Sequence, residues 1–391
     1  MNATSGFVDF APDYARPPGA LLDAVLDALD LTQSELADRT GLSTKYVNQI
    51  IKKHVTITAE TAVKLEAATE VPADTWMRLE AQYRAEAARS ERRRGLQDWV
   101  DWLRNFNLPE LKQRGVVRRV GEEADIVDDL LRFFGISSPD SWERVWQPSL
   151  TRFRRSPSFK PELSATTVWL RIGQRKAAAV HTDRYDAEAL VGLLPELRRL
   201  TLLDPAEGLA RLPQLSAHAG VAVVYAAEVS GCRASGATWW ANPHKAVVLL
   251  SNRGKREDRL WFSYFHELGH LLRHAKRDTY IDQTGPETDA PPWEESAPVS
   301  GFIDDGSRDS ALEVEADSFA SSTLIPDQLV EELRMIRSEA EIQELARSIG
   351  VAPGIVAGRW QFENDNYTRF NGLRRKLPAN LFEQPPPISR G

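Results

Sequence analysis

Hydrophobic residues recur at helical spacing from residue 17 to residue 95, and this pattern predicts several short helices in succession. Thr32, followed three residues later by Glu35, has the capping-box pattern that begins the second helix. Gly41 ends that helix, and Ser43 begins the third. Two short helices joined by so tight a turn are typical of a helix-turn-helix.

Aromatic residues at helical spacing continue from about 95 to 200 and predict a mainly helical middle segment. We find no catalytic grouping and no internal repeat in that sequence. After Pro205 the pattern changes to short apolar runs rich in β-branched residues, which predict strands at 221–225 and 246–250. The segment between them, 230–244, is expected to form a hairpin or an elaborate turn.

Helical spacing returns after the second strand. It predicts a polar, proline-rich loop at 283–308 and helices at 258–274, 310–323, 331–337 and 339–350. Because the strand 246–250 directly precedes the first of these helices, we expect an extended peptide substrate to pair with its edge.

These patterns predict a multidomain protein with an all-α helix-turn-helix domain, a mainly helical middle domain and an α+β C-terminal domain. The length of 391 residues agrees with two or three domains. The expected divisions are a flexible N-terminus at 1–16, the helix-turn-helix domain at 17–95, the middle domain at 96–205, the α+β domain at 206–380 and a disordered tail at 381–391.

Composition narrows the possible chemistry. The chain has 1 cysteine, so any metal must be held by histidines and carboxylates. It has no apolar run near the roughly 18–20 residues of a membrane helix and no secretion-signal pattern, so we expect a cytoplasmic protein with no membrane partner. A net charge of −7 argues against non-specific coating of nucleic acid but allows a local basic site.

A metal-binding motif lies in the predicted helix 258–274, where His266 and His270 flank Glu267. Two imidazoles four residues apart lie on one helix face, about 6 Å apart along the axis, and can bind one zinc ion. Glu267 can take a proton from a water molecule that the metal acidifies. Chance placement of the 7 histidines would give this pattern on the order of one time in a hundred, so we interpret it as a zinc site.

A third ligand is available on the predicted helix 310–323. Glu313 and Asp317 share a face of that helix, so Glu313 can bind the metal while Asp317 orients a ligating imidazole. Glu315 lies about 200° around the helix from Glu313 and is the alternative ligand. A solvated acidic face is the competing interpretation, but the apolar residues that follow favour burial. His274 lies too far along its helix to converge with the other two imidazoles, and we assign it no ligand role.

The predicted recognition helix lies in a stretch without negative charge. No Asp or Glu occurs from residue 40 to residue 59, although the whole chain is acidic. This pattern favours DNA binding, with a helical bundle that binds protein as the alternative. Gln33 is placed to meet a phosphate, and the full set of expected DNA contacts is Gln33, Ser43, Thr44, Lys45, Asn48, Gln49, Lys52 and Lys53.

Both ends of the chain resemble known families. Residues 17–85 resemble the XRE-type helix-turn-helix of HigA-family antitoxin regulators, through Leu31-Thr32-Gln33-Ser34-Glu35-Leu36-Ala37, Thr56-Ile57-Thr58 and Trp76. From about residue 206 the chain is similar to the ImmA/IrrE family of zinc metallopeptidases, through Gly236-Ala237-Thr238-Trp239-Trp240, the motif at 266–270, Glu313–Ala320 and Leu324-Ile325-Pro326. The order of the parts resembles full-length fusions of the two families.

The resemblance implies a gluzincin-like site in which Zn²⁺ is held by His266, His270 and Glu313. It implies that Glu267 is the base and that Asp317, a position where the family frequently has Asn, supports a ligand. It also implies a protein substrate, often a repressor of the helix-turn-helix class.

We therefore expect a transcriptional regulator that binds operator DNA as a homodimer and cleaves a repressor or a toxin-like partner protein with a zinc endopeptidase domain. The alternative is an antitoxin-like DNA-binding regulator whose zinc domain binds or senses a partner without proteolysis. Both hypotheses keep the same ligands and the same base, so the sequence does not separate them.

Overall fold

The chain divides into two compact units, residues 1–100 and residues 101–391. The structure, a computed structural model, describes residues 17–150, 160–274, 280–283 and 308–382. The N-terminus expected to be flexible lies outside these residues, as do nearly all of the loop expected at 283–308 and of the tail expected at 381–391. The boundary expected at residue 205 falls inside the second unit, and a separate middle domain stays a prediction.

The described part of the first unit is helical. Its helices are α1 (Pro18–Ala28), α2 (Gln33–Thr40), α3 (Thr44–Ile51), α4 (Ala59–Thr69) and α5 (Ala73–Gly95). The predicted capping box is present, because the Thr32 side chain accepts from the backbone N–H of Glu35 and the Glu35 side chain accepts from that of Thr32. Gly41 ends α2 in the left-handed conformation, and Ser43 caps α3. The predicted helix-turn-helix is confirmed.

Burial of apolar side chains holds these short helices together. Leu22, Leu36, Val47, Leu65 and Trp76 are fully buried in one cluster. Each such side chain stabilises the unit by roughly 1.5–3 kcal/mol relative to its exposed state. Since helices of this length are marginal in isolation, this shared core fixes which face of α3 remains exposed.

Helices also dominate the start of the second unit, as the sequence predicted. They are a 3-10 helix that crosses the unit boundary (Leu96–Asn105), α6 (Leu108–Gln113), α7 (Glu123–Phe134), α8 (Pro139–Leu150), α9 (Lys160–Ala178), α10 (Ala187–Arg199) and α11 (Pro205–Ala217). Side chains at the end of α6 and on α9 are hydrogen bonded to the backbone of residues 226–228. Arg114 donates to the carbonyl oxygens of Ala227 and Glu228, and Trp169 donates to that of Ala226 over 3.2 Å.

A four-stranded sheet with the order β1-β3-β2-β4 follows. Its strands are β1 (Val221–Tyr225), β2 (Ala234–Asn242), β3 (Lys245–Leu250) and β4 (Tyr280–Gln283). β1 is parallel to β3, and β2 is antiparallel to both β3 and β4. The predicted strands at 221–225 and 246–250 are confirmed, the segment between them contributes a hairpin, and β4 was not predicted.

β3 is a central strand, so the prediction that a substrate pairs with its edge is wrong. Val247 is paired with Ala222 of β1 and with Trp239 of β2. Both edges of β3 are therefore already hydrogen bonded. Among the described strands, the edges of the sheet are β1 and β4.

Helix α12 (Glu257–Arg273) lies at the centre of the second unit. All its residues from Glu257 to Leu271 are buried. Its apolar side chains lie in one hydrophobic core with those of β1, β3, α10, α11 and the helices that follow α12 in the chain. The helices that complete the unit are α13 (Arg308–Leu324), α14 (Val330–Met335), α15 (Glu339–Ile349) and α16 (Pro353–Glu363), of which α16 was not predicted.

None of the helices in the described part of the chain is both long enough and apolar enough to cross a membrane.

Candidate metal centre and DNA-binding surface

Two packed helices bring the candidate metal ligands together. The Nε2 atoms of His266 and His270, both on α12, lie 2.9 Å apart. Oε2 of Glu313, on α13, lies 3.1 Å from Nε2 of His266 and 3.4 Å from Nε2 of His270. The candidate ligand atoms of these three residues all lie within 4.8 Å of one another.

This arrangement fits a zinc ion. A tetrahedral zinc ion with bonds of about 2.0–2.1 Å holds its ligand atoms about 3.3 Å apart, which is close to the three separations observed. Two imidazole nitrogens and one carboxylate oxygen are also ligand atoms that zinc prefers. Three protein ligands leave a fourth position for water or substrate, as in catalytic zinc sites.

The protonation states of these groups also suit a cation. Burial raises the pKa of Glu313, but hydrogen bonds with His266 and His270 outweigh it and lower this pKa to about 2. Burial lowers the pKa of His270 below its ordinary value. Glu313 is therefore held as a carboxylate and the neutral imidazole of His270 is favoured, and these are the forms that bind metal.

A glycine sets the distance between the two ligand-bearing helices. A Cβ atom placed on Gly269 of α12 would lie 3.0 Å from Cα and 3.2 Å from the carbonyl oxygen of Ala316 on α13. The absence of a side chain at Gly269 allows this approach. Glu313, one turn before Ala316, reaches the imidazoles because the helices lie so close.

We expect Gly269→Ala to lower the free energy of unfolding by about 1–3 kcal/mol, because the added methyl group overpacks this contact. The substitution should also weaken zinc binding, since α13 carries Glu313 away from the imidazoles. Denaturant unfolding and metal titration measure the two effects. Gly192→Ala in α10 is the matched control, because its Cβ would meet no atom within 4 Å. Equal effects of the two substitutions would contradict the role given to Gly269.

The candidate base is enclosed by a strand as well as by its own helix. Glu267 is fully buried. A Cβ atom placed on Gly236 of β2 would lie 2.5 Å from Oε1 of Glu267. Gly236 therefore leaves room for the carboxylate beneath the sheet. Gly236 belongs to the sequence that resembles the ImmA/IrrE family, but its contact with Glu267 was not predicted.

The acidic residues of α13 have different neighbours. Oδ1 of Asp317 lies 2.8 Å from Nδ1 of His266, the imidazole that Asp317 is predicted to orient. Oε2 of Glu315, the alternative ligand, lies instead 3.3 Å from Nε2 of His274. His274 stays outside the ligand group, but its Nδ1 lies 2.9 Å from Nδ1 of His270. The spacing of four residues from His270 to His274 was the signal for this missed contact.

The expected DNA-contacting residues differ in exposure. The exposed ones are Ser43, Thr44, Lys45, Lys52 and Lys53, and the partly buried ones are Gln33, Asn48 and Gln49. All lie on α2, on α3 or directly beside α3. The structure thus places the lysines on the solvent side of the helix that was predicted to read DNA.

Three of these residues are engaged within the helix-turn-helix itself. Nδ2 of Asn48 donates to Oε1 of Gln33 over 3.1 Å. This contact holds the Asn48 amide in one orientation, so Gln33 contacts α3 as well as being partly exposed to solvent. The Ser43 hydroxyl accepts from the backbone N–H of Tyr46 over 3.1 Å and caps α3.

Comparison with known families agrees with this geometry. Residues 22–76 match the helix-turn-helix family, and residues 229–296 match the family of IrrE N-terminal-like domains, which are peptidases. No curated protein matches the chain. The chain therefore combines an XRE-type helix-turn-helix with an ImmA/IrrE-like domain, in the predicted order. It is a DNA-binding regulator that carries a domain of a metallopeptidase family.

Proposed function

We propose that this regulator binds operator DNA through its first unit and cleaves a partner protein at a gluzincin-like zinc site in its second. The observation that carries the proposal is the convergence of His266, His270 and Glu313 beside the buried Glu267. A site that only stabilised the fold would have no need of a carboxylate between its two imidazole ligands.

Each residue of the site has a separate task in the proposed reaction. His266, His270 and Glu313 would hold the zinc ion, and Asp317 keeps the His266 proton on Nδ1, so that Nε2 offers its lone pair. When bound, zinc supplies the positive charge that polarises a peptide carbonyl and acidifies water. Glu267 accepts the proton of the attacking water on its carboxylate and delivers it to the departing amine.

We place the extended substrate along β4. Gly236 of β2, which covers the carboxylate of Glu267, is paired with Asp282 of β4. No described strand pairs with the opposite edge of β4. A peptide that added a strand there would pair with β4, which lies next to the strand that encloses the base.

The cleaved protein is proposed to be a repressor of the helix-turn-helix class or a toxin-like partner. The direct experiment is mass spectrometry of the products after the zinc-loaded protein is mixed with repressors and toxins encoded beside it. New peptide termini in one of them support the endopeptidase. Intact partners throughout would favour a zinc domain that senses or binds without cutting.

The DNA-binding proposal predicts effects that depend on the residue. We expect Lys45→Ala, Asn48→Ala and Gln49→Ala to weaken specific binding by about 1–3 kcal/mol where the side chain contacts a base. Lys52→Ala and Lys53→Ala should instead reduce the salt dependence of binding, because they remove contacts with phosphates. Titration of the chain's own promoter region at several salt concentrations measures both effects.

Lys64→Ala is the matched control, since Lys64 lies on α4 and is paired with Glu60 in its own helix. Loss of affinity from this control equal to that from Lys45→Ala would contradict the assigned surface. We also propose that the regulator binds as a homodimer, with one copy of α3 in each operator half-site. A complex with one protein chain per operator would overturn the dimer.

A further inference from the structure

We infer that His274 and Glu315 form a relay that fixes the imidazole of His270 as a metal ligand. The inference rests on the proposed zinc site. His274, which was assigned no ligand role from the sequence, and Glu315, which was only the alternative ligand, both have a positioning role at the metal centre.

The contacts form a continuous chain from the metal site toward solvent. Nδ1 of His270 lies 2.9 Å from Nδ1 of His274, and Nε2 of His274 lies 3.3 Å from Oε2 of Glu315. The His274 side chain is 1% exposed, whereas that of Glu315 is 60% exposed. The relay therefore begins at a buried ligand and ends at a carboxylate on the surface.

Metal binding allows one direction of hydrogen bonding along this chain. If Nε2 of His270 binds the metal through its lone pair, the ring proton must be on Nδ1. In the contact with His274, that proton is donated to Nδ1 of His274, which is then the acceptor. His274 then carries its own proton on Nε2 and donates it to Glu315. One carboxylate thus sets the tautomers of two imidazoles.

With this relay, each of the two imidazole ligands on α12 is supported by a carboxylate on α13. Asp317 contacts His266 directly, whereas Glu315 reaches His270 through His274. Hydrogen bonds of this kind orient a ligating imidazole and raise its basicity, and their loss typically costs about 10–100-fold in metal affinity.

The test compares substitutions of His274 in the full chain. His274→Leu keeps an apolar body but removes the acceptor, whereas His274→Asn can place an amide oxygen near the position of Nδ1. We expect His274→Leu to lower zinc affinity about 10–100-fold and His274→Asn to retain most of it. Zinc affinity is measured by competition with a chromophoric chelator, and the visible spectrum of the cobalt-substituted protein reports the ligand geometry.

Glu315→Ala should weaken zinc binding less than His274→Leu, because His274 still accepts from His270. Glu331→Ala is its control, since Glu331 is exposed on α14 and pairs with Arg334 in the same helix. Unfolding curves and promoter binding verify that each variant is folded. An effect of His274→Leu that His274→Asn does not relieve would overturn the relay, because it would indicate lost packing.

Different experimental results would contradict the relay and the zinc site. If the wild-type chain binds zinc and His274→Leu binds it equally well with the same cobalt spectrum, the relay is wrong and the zinc site stands. If the wild-type chain binds no zinc, both are wrong.

Discussion

Replacing Glu267 by Gln is expected to abolish cleavage of the partner protein while zinc and DNA binding persist. The amide fills the same buried space, but it cannot accept the proton of the attacking water. A general base contributes about 10²–10⁴-fold to a rate, and we expect a loss of at least that size. Product formation under single-turnover conditions measures it, with zinc content and promoter affinity determined on the same preparation.

The same substitution separates the two functional hypotheses in cells. Reporter expression is compared for the wild type, Glu267→Gln and His266→Ala under the inducing condition. An enzyme loses its regulatory output in both variants, because the output depends on destroying a partner. If Glu267→Gln behaves like the wild type while His266→Ala does not, the zinc domain is a sensor and the endopeptidase assignment is wrong. Glu331→Gln, at an exposed position on α14, controls for removal of a charge.

Replacing His266 by Ala is expected to remove the metal altogether. The proposed site of two histidines and one glutamate would hold about one zinc ion per chain, and loss of one of three protein ligands leaves too few to hold it. His266 also carries the contact with Asp317, so its removal leaves that carboxylate without the imidazole it orients. Metal analysis after dialysis against a weak chelator measures the occupancy.

His218→Ala is the control for the loss of a histidine. His218 is exposed in the same unit and lies 3.5 Å from Asp183, away from the ligand group. The control should keep full zinc occupancy. Full occupancy in His266→Ala would end the assignment of this residue as a ligand, and zinc loss in both variants would indicate general unfolding.

Signals within a few residues of one another predicted the first unit well. The capping box at Thr32 and the left-handed Gly41 confirm the predicted limits of α2, and Ser43 caps α3 as expected. Such signals work because the backbone N–H groups of a helix terminus are satisfied by side chains three residues away. By contrast, the amide contact between Gln33 and Asn48 was not predicted, because it depends on how α2 packs against α3.

These local signals did not predict the order of the strands in the sheet. The apolar sequence of β3 does not show whether the strand lies at an edge or in the centre of the sheet. A strand buried on both faces has no alternation of apolar and polar residues. Its central place depends on pairing with β1 on one side and β2 on the other. The edge that we now propose for the substrate, β4, follows α12 in the sequence and was not recognised as a strand.

The sequence by itself determined one half of the candidate metal centre. His266, Glu267 and His270 lie on one helix, and helical periodicity alone places the two imidazoles on the same face. The tertiary structure decided the other half, because α13 is far from α12 in the sequence. The close approach at Gly269 places Glu313 beside the imidazoles and Glu315 against His274. Helical periodicity fixes the direction in which each side chain of one helix points. Only tertiary packing decides which face of another helix those side chains contact.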